Sequence, residues 1–262
     1  MLNWLKNLGR AAQPNASASK SAILEQLWLD TLLQYPFLAR RPVADLQQLR
    51  GLVERFLKRK EFTGVNGLVV TDAMAVAIAA QACLPVLHLG LRWYDGFTGI
   101  VVHPGPMVAQ REVTDHTGVV HRYREVLQGE AMQDGPVTLS WEHVEAAGAS
   151  AEGGHNLVIH EFVHKIDMRD GEADGCPPLA TRRSQSDWHE TMQPAYDAFC
   201  EKVAMAQRFG AEAPWLDAYG ATSPAEFFAV TSEAYFVNRE RFTLEFPALT
   251  VLFDKFFLVR RT

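Results

Sequence analysis

The sequence predicts an α+β fold: a mainly helical single domain with a small, largely antiparallel sheet. Three observations lead to this prediction. Apolar residues recur at helical spacing up to residue 83 and again beyond residue 152. Between residues 84 and 141 the chain changes to short β-branched segments separated by glycine and proline, which is typical of strands. The order helices, sheet, helices indicates the α+β class.

The first 83 residues divide into an arm and a helical region. Residues 1–20 are rich in Ala, Ser and Asn and are predicted to form a flexible arm. The domain then covers residues 21–262, and its first part, residues 21–83, is expected to be helical. The predicted helices run from Ala22 to about Tyr35, from Pro42 to Leu57, and from Thr71 or Asp72, either of which can serve as N-cap, to Cys83.

Residues 84–141 are expected to form the sheet, and residues 152–262 the helices that follow it. The predicted strands are the segments PVLHLG, GIVVHPG, GVVHRYREVL and PVTLSW. The predicted helices after the sheet cover residues 155–168, 186–209, 224–238 and 247–259.

Composition and charge argue against several classes of protein. The net charge is −6 over 262 residues, and nucleic-acid-binding surfaces are basic, so we expect no direct binding of nucleic acid. The three cysteines are far apart and fit neither a disulfide framework nor a zinc knuckle, which favours a reducing compartment. The chain has no long apolar run and no cleavable signal pattern, so we expect a cytoplasmic protein without membrane association.

The segment GHNLVIHEFVHKID contains the motif H-E-x-x-H, formed by His160, Glu161 and His164. Residues four apart lie on one face of a helix, so both imidazoles can bind one ion, and histidine is a good zinc ligand. Glu161 stands beside the first ligand, where it can take a proton from the attacking water and pass it to the leaving amine. The neighbouring residues are apolar, so the motif makes one polar stripe on a buried helix. This predicts an active site with one zinc ion per chain.

The motif also has a simpler explanation, because a surface helix can carry it by chance. Burying three titratable groups without a partner would be costly, however, and a metal removes that cost, so we favour the metal site. Asp167 lies on the same face, three residues beyond His164, where a carboxylate can orient a ligand histidine from behind. The alternative for Asp167 is an ion pair with Lys165 or Arg169 at the end of the helix.

A zinc hydrolase keeps three protein ligands, and here the third is expected to be a downstream carboxylate on another helix. Glu226 is favoured because it lies in SPAEFFAVTSEAYF, an apolar helix with few carboxylates. Glu233 shares its face and can either support the site or bind the metal itself. Residues 223–226 also fit a capping box, in which the glutamate would face the backbone. The remaining candidates are Glu190, Glu201 and Glu212.

Tyr219 lies seven residues before Glu226, in the segment LDAYGATSPAE. A tyrosine hydroxyl near the metal can donate a hydrogen bond to the oxyanion that forms during amide hydrolysis. The alternative is an ordinary packing role, which is more common for a loop tyrosine.

Three segments carry a resemblance to a known family. VIHEFVHKID, DAYGATSPAEFFAVTSEAYF and LPVLHLGLRWYDGF together resemble the MtfA family of zinc peptidases, and the similarity extends over residues 20 to 255. The catalytic helix with its aspartate is also similar to that of the anthrax lethal factor protease domain. The resemblance implies a zincin-like fold and an aminopeptidase-type activity on small substrates. It implies His160, His164 and Glu226 as zinc ligands and Glu161 as general base, and it places Tyr219 at the position of the family's candidate oxyanion-stabilising tyrosine.

Two classes of function compete at this point. The leading interpretation is a peptidase whose substrate backbone pairs with an edge strand of the sheet, for which PVTLSW is the candidate. The resemblance also implies binding of an Mlc-like transcriptional repressor of sugar uptake. The alternative is therefore a regulatory protein that sequesters a transcription factor, with a structural or switch-like zinc ion. A third interpretation is a zinc hydrolase that acts on an amide other than a peptide.

Overall fold

The computed structural model describes residues 14–114 and 120–258 and confirms a mainly helical α+β fold. Thr71, one of the two N-caps that the sequence predicts, caps the helix that begins at Asp72. Its hydroxyl oxygen accepts a hydrogen bond from the Met74 backbone N–H over 3.3 Å. The chain begins with the helices α1 (Pro14–Gln34), α2 (Pro36–Ala39), α3 (Val43–Arg59) and α4 (Asp72–Cys83).

Helix α1 begins inside the predicted flexible arm. Its first residue is Pro14, so residues 14–20 are helical rather than loose, and the rest of the arm lies outside the described residues. A proline suits the first turn of a helix, since it lacks only an N–H that would have no partner there. The polar, alanine-containing composition that suggests an arm is also compatible with a helix.

Four of the described strands form one mixed sheet. They are β1 (Glu61–Gly64), β2 (Gly99–His103), β5 (Gly129–Ala131) and β6 (Val137–Ser140), in the order β1–β2–β6–β5. The pairs β1–β2 and β2–β6 are parallel, and β5 pairs antiparallel with β6. Between β2 and β5 the chain forms a separate antiparallel hairpin of β3 (Met107–Thr114) and β4 (Val120–Leu127).

The prediction of a largely antiparallel sheet is therefore wrong for the four-stranded sheet. The sequence pattern does not indicate β1, because this strand is four residues long, half exposed and directly follows the charged end of α3. Parallel pairing of β1 with β2 requires a crossover connection, and α4 lies in that connection.

The segment PVLHLG is not a strand either. It follows α4 as a series of tight turns, with backbone hydrogen bonds from Leu87 N–H to Leu84 C=O and from Gly90 N–H to Val86 C=O. Its apolar side chains are buried in these turns. A short apolar run indicates that its side chains are buried, but periodicity alone does not show whether the backbone is a strand, a helix or a series of turns.

The predicted edge strand is an interior strand. PVTLSW contains β6, which pairs with β2 on one side and with β5 on the other, so all four of its residues are buried. The edge of the sheet is β5, and no described strand pairs with its free side.

Helices make up the rest of the described chain. They are α5 (Trp141–Ser150), α6 (Leu157–Asp167), α7 (Arg182–Phe209), α8 (Pro224–Val237), α9 (Arg239–Glu245) and α10 (Pro247–Phe253), which continues as a π-helical turn over Asp254–Leu258. Helices α5 and α9 are not predicted from the sequence, because both are short and bury few residues. None of the helices in the described ranges is long and apolar enough to cross a membrane.

The apolar side of α6 packs into the core. The ring of Phe162 lies 5.7 Å from Phe56, 5.1 Å from Tyr94 and 5.9 Å from Phe97, measured between ring centroids, and all four rings are buried. Aromatic pairs at such distances favour edge-to-face packing. This contact fixes the rotation of α6 about its axis, and the polar stripe of the helix is left on the side that faces α8 and β5.

Candidate metal centre

Helix α6 begins at a defined cap. Asn156 Oδ1 accepts a hydrogen bond from the Ile159 backbone N–H over 2.9 Å. Two residues earlier, Gly154 has a φ of +82°, and a Cβ there would lie 3.1 Å from the Trp215 ring. Glycine is the residue that tolerates this conformation and this close approach. The cap and the turn before it set where the histidines of the next helical turn lie.

The structure brings His160, His164 and Glu226 together. Nε2 of His160 lies 3.2 Å from Nε2 of His164 and 3.0 Å from Oε2 of Glu226. Nε2 of His164 lies 3.3 Å from the same carboxylate oxygen. A tetrahedral zinc ion with bonds of about 2.0–2.1 Å separates its ligand atoms by roughly 3.3 Å. The three atoms therefore fit one face of a tetrahedron, and these residues can hold a metal ion.

Glu226 reaches the histidines from the first turn of α8. Ser223 Oγ caps this helix by accepting a hydrogen bond from the Glu226 backbone N–H over 3.2 Å, and Pro224 occupies the first helical position. The serine half of the predicted capping box is thus present, but the Glu226 carboxylate faces the imidazoles. The other glutamates that the sequence offers as third ligand are exposed and outside this cluster: Glu190, Glu201 and Glu212.

Glu233 supports the cluster from behind. Its Oε1 accepts a hydrogen bond from His160 Nδ1 over 2.8 Å, which leaves Nε2 of that ring for the metal side. Its Oε2 accepts the Asn156 backbone N–H, and the Asn156 amide donates to Gln81 Oε1 over 2.8 Å. One carboxylate on α8 thus fixes both the start of α6 and the ring of its first histidine. Sequence reasoning missed Asn156 and Gln81, although the cap position of the one and the apolar run around the other are visible signals.

The ionisation of this cluster favours a positive charge at its centre. Burial lowers the pKa of His160, but the hydrogen bonds to Glu226 and Glu233 outweigh burial and raise it well above 6.5. Burial raises the pKa of Glu226, and the two histidines outweigh burial and hold this pKa far below 4.5. Carboxylates that stabilise a cation on the imidazoles will also stabilise a metal cation between them.

Glu161 lies beside the cluster, under the edge strand. Its side chain is 5% exposed, and the backbone of Gly129 in β5 packs so closely on it that a Cβ at Gly129 would lie 2.5 Å from Glu161 Oε1. Burial, together with the nearby carboxylates Glu226 and Glu233, raises the pKa of Glu161 to about 8, despite the opposing charge of His160. A carboxyl group with a raised pKa is a stronger general base than an exposed one.

Asp167 makes a different contact from those that the sequence suggests. It is fully buried, and its Oδ2 accepts the Gly175 backbone N–H over 2.8 Å, while Oδ1 makes no hydrogen bond to any described residue. It therefore holds the loop after α6 and pairs with neither Lys165 nor Arg169. That the Asp167 carboxylate orients a ligand histidine stays a prediction. Burial raises the pKa of Asp167 to about 7, more than the Gly175 N–H lowers it.

Tyr219 lies near His160 in the 3-10 turn Ala218–Ala221. The two ring centroids are 6.3 Å apart, and the tyrosine side chain is 45% exposed. Asp217 Oδ1 caps the turn by accepting the Tyr219 backbone N–H over 2.9 Å. The hydroxyl group is thus carried by a capped turn at the side of the candidate metal-binding cluster.

These groups line one cavity of about 820 Å³. Its walls come from β5, α5, α6, α8 and the 3-10 turn that carries Tyr219, and its size suits a small organic molecule or a short peptide. Lysine and arginine do not occur among its described lining residues. Five carboxylates do: Glu130, Glu161, Asp217, Glu226 and Glu233.

Comparison with known proteins adds independent information. The family model described as glucose-regulated metallo-peptidase M90 matches residues 9–258. A protein named Mlc titration factor A from Cronobacter sakazakii is 36% identical over 240 residues, which cover 92% of this chain and 89% of that protein. The protein of the same name from Klebsiella pneumoniae is 36% identical over 244 residues, covering 93% and 90%. That of Salmonella arizonae is 36% identical over 231 residues, covering 88% and 90%.

Proposed function

This chain belongs to the glucose-regulated metallo-peptidase M90 family, and on that premise we propose that it is a zinc-dependent peptidase of the aminopeptidase type. The observation that carries the proposal is the triangle of His160, His164 and Glu226 ligand atoms on the wall of the cavity, with Glu161 beside it. We assign the first three residues as metal ligands and Glu161 as general base.

The donor set fits zinc. Two imidazole nitrogens and one carboxylate oxygen are the ligands of many hydrolytic zinc sites, and three protein ligands leave a coordination position open. A zinc ion bound there would supply a Lewis acid that polarises the scissile carbonyl group and makes water more acidic. Glu233 would hold His160 in the tautomer that turns Nε2 to the metal, because Nδ1 donates to it.

Glu161 would move the proton during hydrolysis. Its carboxylate accepts a proton from the attacking water and then donates it to the nitrogen of the leaving amine. Its burial beneath Gly129 supports this role, since a desolvated carboxylate holds a transferred proton more firmly than an exposed one. Tyr219, on the His160 side of the cavity, would donate a hydrogen bond to the oxyanion as the carbonyl carbon becomes tetrahedral.

The free side of β5 would bind the substrate backbone. Gln128 C=O accepts from Ser140 N–H, and Met132 N–H donates to Pro136 C=O, so the backbone groups of these residues point toward β6. Backbone groups alternate in direction along a strand, so those of Gly129 and Ala131 point away from β6. Both residues line the cavity, and an extended peptide can pair with them as an added strand.

The charge of the cavity supports the aminopeptidase type. The described lining contains five carboxylates and neither lysine nor arginine. Such a lining attracts the positively charged amino terminus of a peptide and repels a terminal carboxylate. We therefore expect substrates with a free α-amino group to be preferred to N-acylated peptides and to peptides held by their C-terminus.

The name of the relatives favours a second candidate function. Mlc titration factor A denotes proteins that titrate Mlc, so this chain could likewise bind an Mlc-like repressor. In that alternative, zinc would be structural or switch-like. Glu161→Gln would then leave repressor binding unchanged and would have no effect on the cell, whereas a peptidase output would be lost.

The deciding experiment is zinc-dependent release from a panel of aminoacyl and short-peptide reporters. The protein is stripped with a chelator, reloaded with one equivalent of zinc and checked for metal content. We expect hydrolysis only in the reloaded protein, and we expect N-acetylation of the best peptide to abolish it. Cleavage of the acetylated peptide at an equal rate would contradict the aminopeptidase type. Silence on the whole panel with zinc bound would favour the repressor-binding function.

A further inference from the structure

Lys165 is a buried cation on the catalytic helix that the proposed chemistry does not use. It follows His164 directly, yet it is absent from the cavity lining, and its side chain is 4% exposed. Its Nζ donates hydrogen bonds to three backbone carbonyl groups: those of Met132, of Gln133 over 3.4 Å and of Gly135 over 2.9 Å. An ammonium group has three protons, so its donor capacity is filled by these three carbonyls.

The three carbonyls belong to the turn that joins β5 to β6. The turn is closed by hydrogen bonds from Gly135 N–H to Met132 C=O and from Met132 N–H to Pro136 C=O. Strand β5 has only three residues and is paired on one side, so few backbone bonds hold it in place. A short strand with one partner depends on contacts outside the sheet for a fixed position.

Helix α6 contacts this strand at two points. Glu161 packs against Gly129 at the beginning of β5, and Lys165 holds the turn after its end. The two helical residues are four apart, which is about 6 Å along a helix axis. The helix that carries both histidines thus contacts the edge strand near each of its ends, in addition to the pairing of β5 with β6.

We propose that Lys165 is a positioning residue that holds β5 in register with the catalytic helix, so that a peptide paired with β5 presents its scissile bond at the metal centre. This inference rests on the proposed function. A buried ammonium is costly unless its bonds are made, so an apolar residue would be the ordinary choice for a contact that served packing alone. Lys165 donates its hydrogen bonds to carbonyls of the turn and to none of the residues that line the cavity, so its positioning effect reaches the reaction through β5. Its charge also acts on Glu161, and Lys165→Arg, which keeps the charge, separates this electrostatic effect from positioning.

Lys60 provides a matched control. Its side chain is 8% exposed, and its Nζ also donates to backbone carbonyls, those of Tyr94 and Phe97. The two ammonium groups lie over the same aromatic ring, at 3.6 Å for Lys60 and 4.6 Å for Lys165 from the Phe97 centroid. Lys60 differs in that it holds the segment before β2 rather than the β5–β6 turn.

The experiment compares Lys165→Met with Lys60→Met in the zinc-loaded, full-length protein. Two probes share the amino acid that the wild type releases fastest: its 4-nitroanilide, and a tetrapeptide that begins with it. We expect Lys165→Met to lower kcat/KM for the tetrapeptide by about tenfold, mainly through KM, which corresponds to one or two lost backbone hydrogen bonds. The anilide has no further residues to pair with β5, so its kcat/KM should fall less than that of the tetrapeptide, and by less than about twofold in Lys165→Arg, which keeps the charge near Glu161.

Hydrogen exchange supplies the readout that does not depend on activity. Amides of residues 129–135 should exchange faster in Lys165→Met and at the wild-type rate in Lys60→Met, with zinc content unchanged in both. Equal losses on the two probes, equal effects of the two substitutions, or unchanged exchange at 129–135 would overturn the proposal. If Lys165→Met does not fold, Lys165→Arg tests the proposal instead. Its planar guanidinium cannot donate to three carbonyls from one nitrogen, so we expect the same loss on the tetrapeptide and the same faster exchange, both smaller than in Lys165→Met.

The two proposals fail separately. A zinc-loaded wild type that hydrolyses neither probe would refute the peptidase function, while the exchange of residues 129–135 would still decide whether Lys165 holds β5.

Discussion

His160 Nδ1 donates a hydrogen bond to Glu233 Oε1 over 2.8 Å, and this contact turns the opposite nitrogen of the ring toward His164 and Glu226. The same carboxylate accepts the backbone N–H of Asn156 at the start of the helix. The direction of the His160 ring, a proposed metal ligand, and the position of its helix are therefore coupled through Glu233, which lies about two helical turns after Glu226 on α8.

Glu233→Gln is expected to weaken zinc binding by about 10- to 100-fold, as is typical when a carboxylate behind a ligand histidine is neutralised. The amide keeps the shape but loses the charge that supports the imidazole. Competition with a calibrated zinc chelator measures the effect. Glu240→Gln, an exposed residue of α9, is the control for a change of net charge. Equal zinc affinity in Glu233→Gln and the wild type would contradict this role.

Glu161→Gln is expected to keep bound zinc and to lower kcat by about 10²- to 10⁴-fold, the range for loss of a general base. The glutamine fills the same space beneath Gly129 but cannot accept the proton of water. Steady-state hydrolysis of the best reporter, with zinc content measured on the same sample, checks it. Hydrolysis at the wild-type rate would rule out Glu161 as the base.

The parts of the site that the sequence predicts are those that depend on local geometry. His160, Glu161 and His164 lie within one helical turn and a half, so the period of a helix is enough to place them on one side. Glu226 lies 62 residues beyond His164, and only its apolar surroundings single it out from the other glutamates. Its position at the histidines follows from the packing of α8 on α6, which no local pattern contains.

The strands are less evident from the sequence than the helices, because they too depend on tertiary packing. Gly129, Glu130 and Ala131 have low β-propensity, and they form a strand because β6 pairs with them. The segment PVLHLG has the opposite character, since its composition is typical of a strand and its residues are buried in turns. The contact of Asn156 with Gln81 spans 75 residues and is likewise a product of tertiary packing.

Gly129→Ala tests the close approach of β5 to Glu161, the proposed base. A Cβ at this position would lie 2.5 Å from Glu161 Oε1, so either the carboxylate or the strand must move. We expect kcat/KM to fall by about tenfold or more with zinc still bound, because small displacements of a catalytic group are costly. Gly171→Ala is the control, since a Cβ there meets no atom within 4 Å. Unchanged activity in Gly129→Ala would show that the site tolerates the shift.

Asp167→Asn tests the buried carboxyl group through the pH dependence of stability in the metal-free protein. Burial raises the pKa of Asp167 from 3.8 to about 7. Between these pH values Asp167 is ionised in the unfolded chain and protonated in the folded protein. The folded state therefore binds more protons, and the free energy of unfolding falls as the pH rises. Asparagine cannot ionise, and its carbonyl oxygen can still accept the Gly175 N–H.

Urea unfolding at pH 5 and pH 8 measures the effect. The free energy of unfolding of Asp167→Asn, relative to that of the wild type, should be about 2–4 kcal/mol higher at pH 8 than at pH 5. The exposed Asp187→Asn serves as control and should show no such gain. A constant difference between Asp167→Asn and the wild type across this range would contradict the raised pKa, because it would mean that Asp167 is ionised in the folded protein as well.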